Sequence, residues 1–222
     1  MNTNAPISTA AIYDSDFIPT LSKPNGATAE AIRSLRTHVM VRHIQAGRRA
    51  LAVCAPTAKT GCTFVSVNLA VALSQIGVKT LLIDGNLRRP AIGKVFKRSV
   101  AANGLQQCLT TPDVSFSEFT EPDVLPGLSV LFAGVATVNP LELLAGKRFG
   151  ELVDFCLRNY DATIVDAPPA DRSADAMRIG SVISYCLVVA RRNRSFVNDV
   201  RVLADSLKGA GAQVIGTVFN YD

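Results

Sequence analysis

The chain has 222 residues, of which 48% are hydrophobic and 18% charged, and this composition is typical of one globular α/β domain rather than a disordered chain. Its formal net charge is +5, but the basic residues lie in small groups without interleaved aromatic residues, which argues against a nucleic-acid-binding surface. No apolar run approaches the roughly 20 residues of a membrane-spanning helix, and the first residues show no secretory signal pattern. The five cysteines are widely separated, so we expect reduced thiols in a cytoplasmic protein.

The chain begins with a polar segment and continues as alternating strands and helices. Residues 1–28 are rich in Thr, Ser, Asn, Pro and Ala, which predicts a flexible N-terminal arm. An amphipathic pattern after Thr28 predicts a helix over 29–45. The predicted strands are 50–56, 79–86, 128–134, 162–169, 182–190 and 213–220, all of them buried, and the further helices are 63–77, 140–160 and 195–208. Such an alternation predicts a single doubly wound α/β domain over 29–222, with a mostly parallel sheet and helices on both faces.

Polar segments follow three of these strands, at the edge where doubly wound sheets bind their ligands. They are "APTAKTGCT" (55–63), "DGNLRRP" (84–90) and "DAPP" (166–169). Asp84 and Asp166 each end an apolar strand, as carboxylates that serve Mg²⁺ beside phosphates often do. The first segment resembles the phosphate-binding loop G-x-x-x-x-G-K-[ST], but it has Cys62 where that loop has lysine. A modified nucleotide site and an ordinary strand–turn–helix are both compatible with this pattern.

Five motifs in order resemble the bacterial tyrosine kinases of capsule and exopolysaccharide biosynthesis. These kinases are deviant P-loop proteins, grouped with the septum-site and chromosome-partition ATPases. The motifs are "EAIRSLRT" (30–37), "GCTFVSVNLAVALSQIGVKTLLIDGNLRRP" (61–90), "NPLELL" (139–144), "YDATIVDAPP" (160–169) and "GTVFN" (216–220). The resemblance extends from about residue 29 to 220. It implies a P-loop NTPase-like fold with ATP or ADP and Mg²⁺ as cofactors.

The resemblance also implies roles for individual residues. The implied nucleotide-binding residues are Lys59, Thr60, Gly61, Cys62, Thr63, Phe64 and Asn220. The implied metal ligands are Thr63, Asp84 and Asp166, and the implied catalytic residues are Asp84, Asp166 and Arg88. In the resembling kinases subunits join through the first helix, which implies a homo-oligomer formed by Glu30, Arg33 and Arg36 on one helical face. A membrane chain-length regulator is the implied partner, and it would hold the protein at the inner face of the cell membrane.

Several departures from the family pattern bear on activity. Cys62 replaces the lysine that reaches the phosphates, and Lys59 stands at a usual glycine position, where a positive φ would strain a side chain. Asn86 replaces the second carboxylate of the D-x-D-x-R segment. The family's terminal tyrosine cluster is reduced here to Tyr221, next to the last residue, Asp222. Loss of a charged hydrogen bond worth roughly 1.5–3 kcal/mol weakens nucleotide binding by about 10- to 150-fold.

Three functions therefore stay open. The departures favour a catalytically impaired regulatory or assembly subunit of polysaccharide export, acting with the membrane regulator. The alternative is an active ATP-dependent tyrosine autokinase in which Lys59 replaces the missing lysine. A third possibility is a partition or septum-site ATPase, although that group has a lysine where this chain has Thr57. Cys62 itself is either a small inert replacement or a reactive thiol with a lowered pKa at a helix N-terminus.

Overall fold

A seven-stranded sheet forms the centre of the computed structural model, which describes residues 13–98, 103–135 and 139–221. Its strands are β1 (Ala50–Cys54), β2 (Thr80–Asp84), β3 (Glu121–Leu125), β4 (Leu128–Leu131), β5 (Ala162–Asp166), β6 (Tyr185–Arg191) and β7 (Gln213–Asn220). The strand order is β3-β4-β2-β5-β1-β6-β7, and only the β3–β4 pair is antiparallel. The predicted doubly wound, mostly parallel α/β fold is confirmed.

Helices cover both faces of this sheet. They are α1 (Pro19–Ser22), α2 (Ala27–Val39), α3 (Cys62–Ser74), α4 (Ile92–Val95), α5 (Leu105–Thr110), α6 (Pro140–Ala145), α7 (Lys147–Asn159), α8 (Asp175–Ile183) and α9 (Val197–Gly209), with a π-helical turn at Met40–Ile44 and a 3₁₀ turn at Phe116–Phe119. In β2, Leu82 packs into the core under α3, whereas Leu81 and Ile83 pack into the core under α7 and α8. Alternate side chains of one strand thus enter two apolar cores. None of the helices in the described ranges is long and apolar enough to cross a membrane.

All four predicted helices have somewhat different boundaries in the structure, and two of the differences occur at a glycine. The first begins at Ala27, two residues earlier than predicted, because Gly26 is extended and ends the preceding turn. The helix predicted over 140–160 is two helices, because Gly146 leaves the helical conformation between them (φ −65°, ψ 154°). Glycine lowers helix propensity by about 1 kcal/mol relative to alanine, so a helix is easily interrupted there.

Three features of the sheet and its connections differ from the prediction. Strand β3 was not predicted, because its exposed Pro122 and Asp123 interrupt any strand pattern. The helices α4, α5 and α8 were not predicted either. The prediction that strand 213–220 is buried is wrong: β7 is the outermost strand on its side of the sheet, and all its residues are exposed or partly exposed.

The described part of the predicted N-terminal arm is packed against the domain. Residues 1–12 lie outside the described residues, but 13–28 differ from a loose arm. Ile18 is completely buried, and the carbonyl of Phe17 accepts a hydrogen bond from Asn68 Nδ2 at 2.9 Å. The ring of Phe17 contacts the ring of Phe64 edge to face, with centroids 5.5 Å apart. These few apolar residues anchor the segment although its overall composition is polar.

Candidate functional site

The carboxyl ends of β1, β2 and β5 bring the three predicted polar segments together. Strand β5 lies between β1 and β2, and Asp84 and Asp166 are register partners on neighbouring strands. A cavity of about 560 Å³ opens at this edge, which we call the nucleotide cavity, and residues 57–64 form one of its walls. Of the predicted site residues, Lys59, Thr60, Gly61, Cys62, Thr63, Phe64 and Arg88 line it.

The backbone at the start of α3 is suited to an anion. No N–H group of residues 57–64 donates a hydrogen bond to another group of the described chain. Lys59 (φ 63°) and Gly61 (φ 92°) have left-handed conformations, which help successive N–H groups converge in an anion-binding nest. The structure therefore has the positive φ at Lys59 that the sequence comparison implied. A phosphate group fits these unpaired donors, and the N-terminus of α3 adds a favourable dipole.

The side chain of Cys62 is turned toward the sheet. Its Sγ donates to the carbonyl oxygen of Val53 at 3.1 Å and lies 3.8 Å from that of Ala167. Burial, followed by the nearby charge of Asp166, raises the pKa of the Cys62 thiol well above its usual range. The protonated thiol carries no charge and sits against strand ends, which favours the inert replacement over the reactive thiolate.

Asp166 is held by two hydroxyl groups of α3. Thr63 Oγ1 donates to its Oδ2 at 2.6 Å and Ser66 Oγ donates to its Oδ1 at 2.9 Å. Burial raises the pKa of Asp166 to about 6, although these hydrogen bonds act in the opposite direction. The carboxylate is thereby fixed beside Thr63, whose oxygen keeps lone pairs for a cation.

Asp84 is held by backbone N–H groups of the segment after β2. Its Oδ1 accepts from Asn86 N at 3.2 Å, and its Oδ2 accepts from Ala91 N and Ile92 N, both at 3.1 Å. Burial raises the pKa of Asp84 to about 7, and the negative charge of Asp166 adds to the effect. The charge of Asp166 therefore makes ionisation of Asp84 less favourable when no cation lies near them.

The oxygen ligands at this edge of the sheet suit Mg²⁺, which binds with few protein ligands, better than a metal ion that protein side chains hold alone. The described residues contain no cluster of three or more His, Cys, Asp or Glu side chains that could hold a metal ion. Two carboxylates and one hydroxyl are hard ligands, and Mg²⁺ in such sites takes its remaining ligands from water and phosphate. Thr63 lines the cavity, whereas Asp84 and Asp166 are fully buried and do not line it, so a Mg²⁺ site formed by these three residues stays a prediction.

Positive charge dominates the wall of the nucleotide cavity. Among the described residues that line it, four are basic and none is a carboxylate: Lys59, Arg88, Arg89 and Arg172. Arg88 is held in place, because its Nε donates to Asp175 Oδ2 at 2.7 Å. The charge balance favours an anionic ligand.

The last predicted cofactor residue, Asn220, lies at the end of β7. Its Nδ2 donates to the carbonyl of Thr60 at 3.1 Å. A Cβ atom on Gly61 would collide with the same amide group, which explains glycine at this position beyond its left-handed φ. Asn220 therefore supports the backbone of residues 57–64 directly.

The three residues predicted for self-association lie away from this cavity, on and beside α2. Arg33 donates from Nε to Glu30 Oε2 at 2.9 Å, one turn earlier in the helix, and from Nη2 to the carbonyl of Pro24 at 2.7 Å. Arg36 Nη1 lies 3.4 Å from the carbonyl of Ala72. These contacts are within the chain, and assembly through this face stays a prediction.

Several partners of the site residues were not predicted. Ser66 follows Thr63 by one helical turn, a spacing that places both hydroxyls on one face of α3. Arg191 ends β6 at the same edge of the sheet as Asp84 and Asp166, so the strand-end rule could have identified it. Asp175 belongs to the unpredicted α8, and Arg172 precedes that helix; neither has a signal in the sequence.

The comparison with curated proteins points to one group. No protein-family model matches the sequence. The chain is 28% identical to the putative tyrosine-protein kinase CapB of Staphylococcus aureus, over 89% of this chain and 86% of CapB. It is 32% identical to the putative tyrosine-protein kinase EpsB of Ralstonia solanacearum over 89% of this chain, and 31% identical to the tyrosine-protein kinase etk of Escherichia coli over 90%. It spans only 26% and 27% of those two longer proteins.

Solved structures give the same result. The kinase domain of the Escherichia coli tyrosine kinase ETK matches with a TM-score of 0.86 and 29% identity, over 92% of this chain and 79% of that chain. The chain is a homologue of the bacterial tyrosine kinases. The chimerical protein CapA2B2 matches with a TM-score of 0.85 and 25% identity, over 93% and 90% of the two chains. The septum-site-determining protein MinD of Pyrococcus horikoshii, at 22% identity and a TM-score of 0.67 over 77% of this chain and 69% of that chain, shares the fold alone.

Proposed function

We propose that this chain is a nucleotide-binding, tyrosine-kinase-like subunit of capsule or exopolysaccharide biosynthesis and export, with strongly impaired phosphotransfer. The observation that carries the proposal is the combination of an open phosphate-binding backbone with a neutral thiol at the lysine position. The N–H groups of residues 57–64 are unpaired within the described chain, whereas Cys62 Sγ is directed at the carbonyl of Val53. Binding of phosphate therefore persists while charge neutralisation during transfer is lost.

Nucleotide binding rests on the backbone and on the basic wall of the cavity. The N–H groups at the start of α3 receive phosphate oxygens, and Arg89 and Arg172 add positive charge from the opposite segments. Thr63, Asp84 and Asp166 would hold Mg²⁺, which draws charge away from phosphate oxygens when it is bound. Asn220 keeps the carbonyl of Thr60 turned away from the ligand.

Impaired transfer follows from the charges that the site lacks. A lysine at position 62 would place an ammonium group where negative charge develops in the transition state, and Cys62 supplies none. Asn86 supplies an amide where a second carboxylate would assist the acceptor hydroxyl. Asp84 remains as the base-like residue of the site.

The same proposal includes a membrane chain-length regulator as partner. The similarity to CapB and to the chimerical protein CapA2B2 supports it. In this arrangement the chain works at the inner face of the cell membrane without crossing it, and several copies assemble through the α2 face that carries Glu30, Arg33 and Arg36.

Calorimetry with ATP and Mg²⁺ tests the proposal, combined with a phosphotransfer assay on the same samples. The natural protein should bind ATP weakly and show little tyrosine phosphorylation. Cys62→Lys should tighten ATP binding by about tenfold or more, because it returns a charged donor to the phosphates. Cys62→Met is the matched control, since it adds length without charge, and it should not tighten binding. Robust autophosphorylation of the natural protein would contradict the impairment.

An active kinase is the second candidate, and one observation favours it. Lys59 lines the nucleotide cavity, is exposed, and makes no side-chain hydrogen bond or ion pair in the described chain. If Lys59→Ala abolishes ATP binding while Cys62→Lys leaves it unchanged, Lys59 is the working lysine and the chain is an active enzyme. If both variants bind ATP like the natural protein, neither lysine position governs affinity and the role of the Cys62 replacement is refuted.

A further inference from the structure

All seven carbonyl groups of residues 55–61, the β1–α3 loop, accept hydrogen bonds within the described chain. Backbone N–H groups bind the carbonyls of Ala55, Pro56 and Gly61, and the Thr60 hydroxyl binds that of Thr57. Side chains bind the remaining three, which are consecutive: Ala58, Lys59 and Thr60. The loop thus has every carbonyl paired, whereas its N–H groups from residue 57 onward are unpaired within the described chain.

Two arginines provide most of this side-chain support. Arg194 Nε donates to the carbonyl of Ala58 at 3.2 Å, and Arg191 Nη1 donates to that of Lys59 at 2.9 Å. Asn220 contributes the third contact, to Thr60. Arg191 and Asn220 are register partners on β6 and β7, so two strand ends and one turn present their donors to a single segment.

The turn that carries the arginines is itself closed by hydrogen bonds. Ser195 N and Arg194 N both donate to the carbonyl of Arg191, at 2.9 and 3.2 Å, and Arg191 N donates to Ser195 Oγ at 3.0 Å. Arg192 N donates to the carbonyl of Asn220 at 2.9 Å, which ties the turn to β7. The guanidinium groups therefore extend from a fixed base and need little further ordering to hold the loop.

Holding the carbonyls fixes where the N–H groups point. Consecutive peptide units can rotate, and a carbonyl that turned into the cavity would repel a phosphate. The left-handed φ of Lys59 is unfavourable for a residue with a side chain, so external contacts are needed to maintain it. The contact of Arg191 falls on that residue's own carbonyl.

We propose that Arg191 and Arg194 are positioning residues that hold the β1–α3 loop in its anion-binding shape and supply positive charge from behind it, in place of the lysine that Cys62 replaces. The positioning part stands on the hydrogen bonds alone. The electrostatic part rests on the proposed function, because it concerns a phosphate ligand. Two fixed guanidinium groups on the outer side of the loop make the electric potential in the cavity more positive, although neither lines it.

Lysyl endopeptidase tests the positioning part on the nucleotide-free chain of 222 residues, since this protease cleaves after lysines such as Lys59 but not after arginine. Arg191→Met and Arg194→Met should each increase the cleavage rate at Lys59 on the order of fivefold, and the double variant should increase it further. Cleavage after the exposed Lys147 serves as the internal reference for global unfolding. Arg192→Met is the matched control, because the Arg192 side chain makes no hydrogen bond or ion pair in the described chain. Equal rates at Lys59 in all variants would overturn the positioning part.

Calorimetry with ADP and Mg²⁺ tests the electrostatic part. The double methionine variant should bind ADP about tenfold or more weakly than the natural protein. Arg192→Met should bind ADP like the natural protein. Arg194→Lys keeps the positive charge and should therefore bind ADP more tightly than Arg194→Met. An unchanged affinity in the double variant would overturn this part. If the natural protein does not bind ADP, the proposed function and the electrostatic part both fail, whereas the cleavage rates still decide the positioning part.

Discussion

The two buried carboxyl groups predict that the ligand-free protein loses stability as the pH rises. Asp84 has a pKa of about 7 in the folded chain against 3.8 for the free side chain, mainly because it is buried and secondly because Asp166 faces it. Between these two pH values the folded state binds more protons than the unfolded state, so the free energy of unfolding falls as the pH increases. A shift of about three pKa units corresponds to ~4 kcal/mol, most of which should be lost between about pH 4 and pH 7.

Urea unfolding followed by circular dichroism measures this effect, without Mg²⁺ or nucleotide, at several pH values from 5 to 8. With a slope of roughly 2–3 kcal/mol per molar urea, the midpoint should fall by about 1 M or more across this range. Asp84→Asn should lose the part of the pH dependence that comes from Asp84, because an amide does not ionise, whereas Asp166 keeps its own raised pKa. Asp154→Asn is the matched control, since Asp154 is exposed on α7.

The buried side chain of His43 changes stability with pH in the opposite direction. Comparing the natural protein with the Asp84→Asn variant cancels its contribution. Burial lowers the pKa of His43, so its contribution to stability increases with pH between its folded value and 6.5. Both the natural protein and the Asp84→Asn variant contain His43, so the difference between their pH profiles cancels His43 and reports Asp84 together with its charge interaction with Asp166. A natural protein as stable at pH 8 as at pH 5, or an Asp84→Asn profile parallel to the natural one, would refute the burial argument.

Three further predictions concern the loop, the thiol and assembly. Gly61→Ala should lower the free energy of unfolding by roughly 1–3 kcal/mol in thermal unfolding, because φ is 92° there and a methyl group would collide with Asn220. Cys62 should react with iodoacetamide at pH 8 at least about tenfold more slowly than a free cysteine, by mass mapping, because its pKa is raised. Arg33→Ala combined with Arg36→Ala should reduce the assembly size measured by light scattering.

A specific experimental result would contradict each of these three predictions. Gly209→Ala is the control for the glycine variant, because Gly209 ends α9 and a Cβ there meets no atom within 4 Å; equal effects of the two alanines would remove the special role of Gly61. Rapid alkylation of Cys62 would show a thiolate rather than a buried thiol. If the assembly persists in the double arginine variant, Arg33 and Arg36 do not hold copies together and make contacts within the chain alone.

The sheet was predictable because its central strands are short runs of Val, Ile and Leu between polar segments. Strand β3 was not predictable. It pairs with a neighbour on one side alone, and such an edge strand tolerates residues like Pro122 and Asp123, which are unfavourable in most strands. The positions of Asp84 and Asp166 followed from the rule that parallel strands end at one edge. The orientation of Cys62 did not follow from it, because the direction of its thiol depends on carbonyl groups that only the folded sheet brings within reach.

The outermost strand β7 sets a limit on how long the loop keeps its shape. Its last residue, Asn220, holds the carbonyl of Thr60, and the turn of Arg191 and Arg194 is tied to the same residue through Arg192 N. A strand with a neighbour on one side only frays more often than a central strand. The lifetime of the ordered loop should therefore follow the opening and closing of this edge of the sheet. Amide hydrogens of β7 should exchange with solvent faster than those of the central strand β5, which lies three strands away.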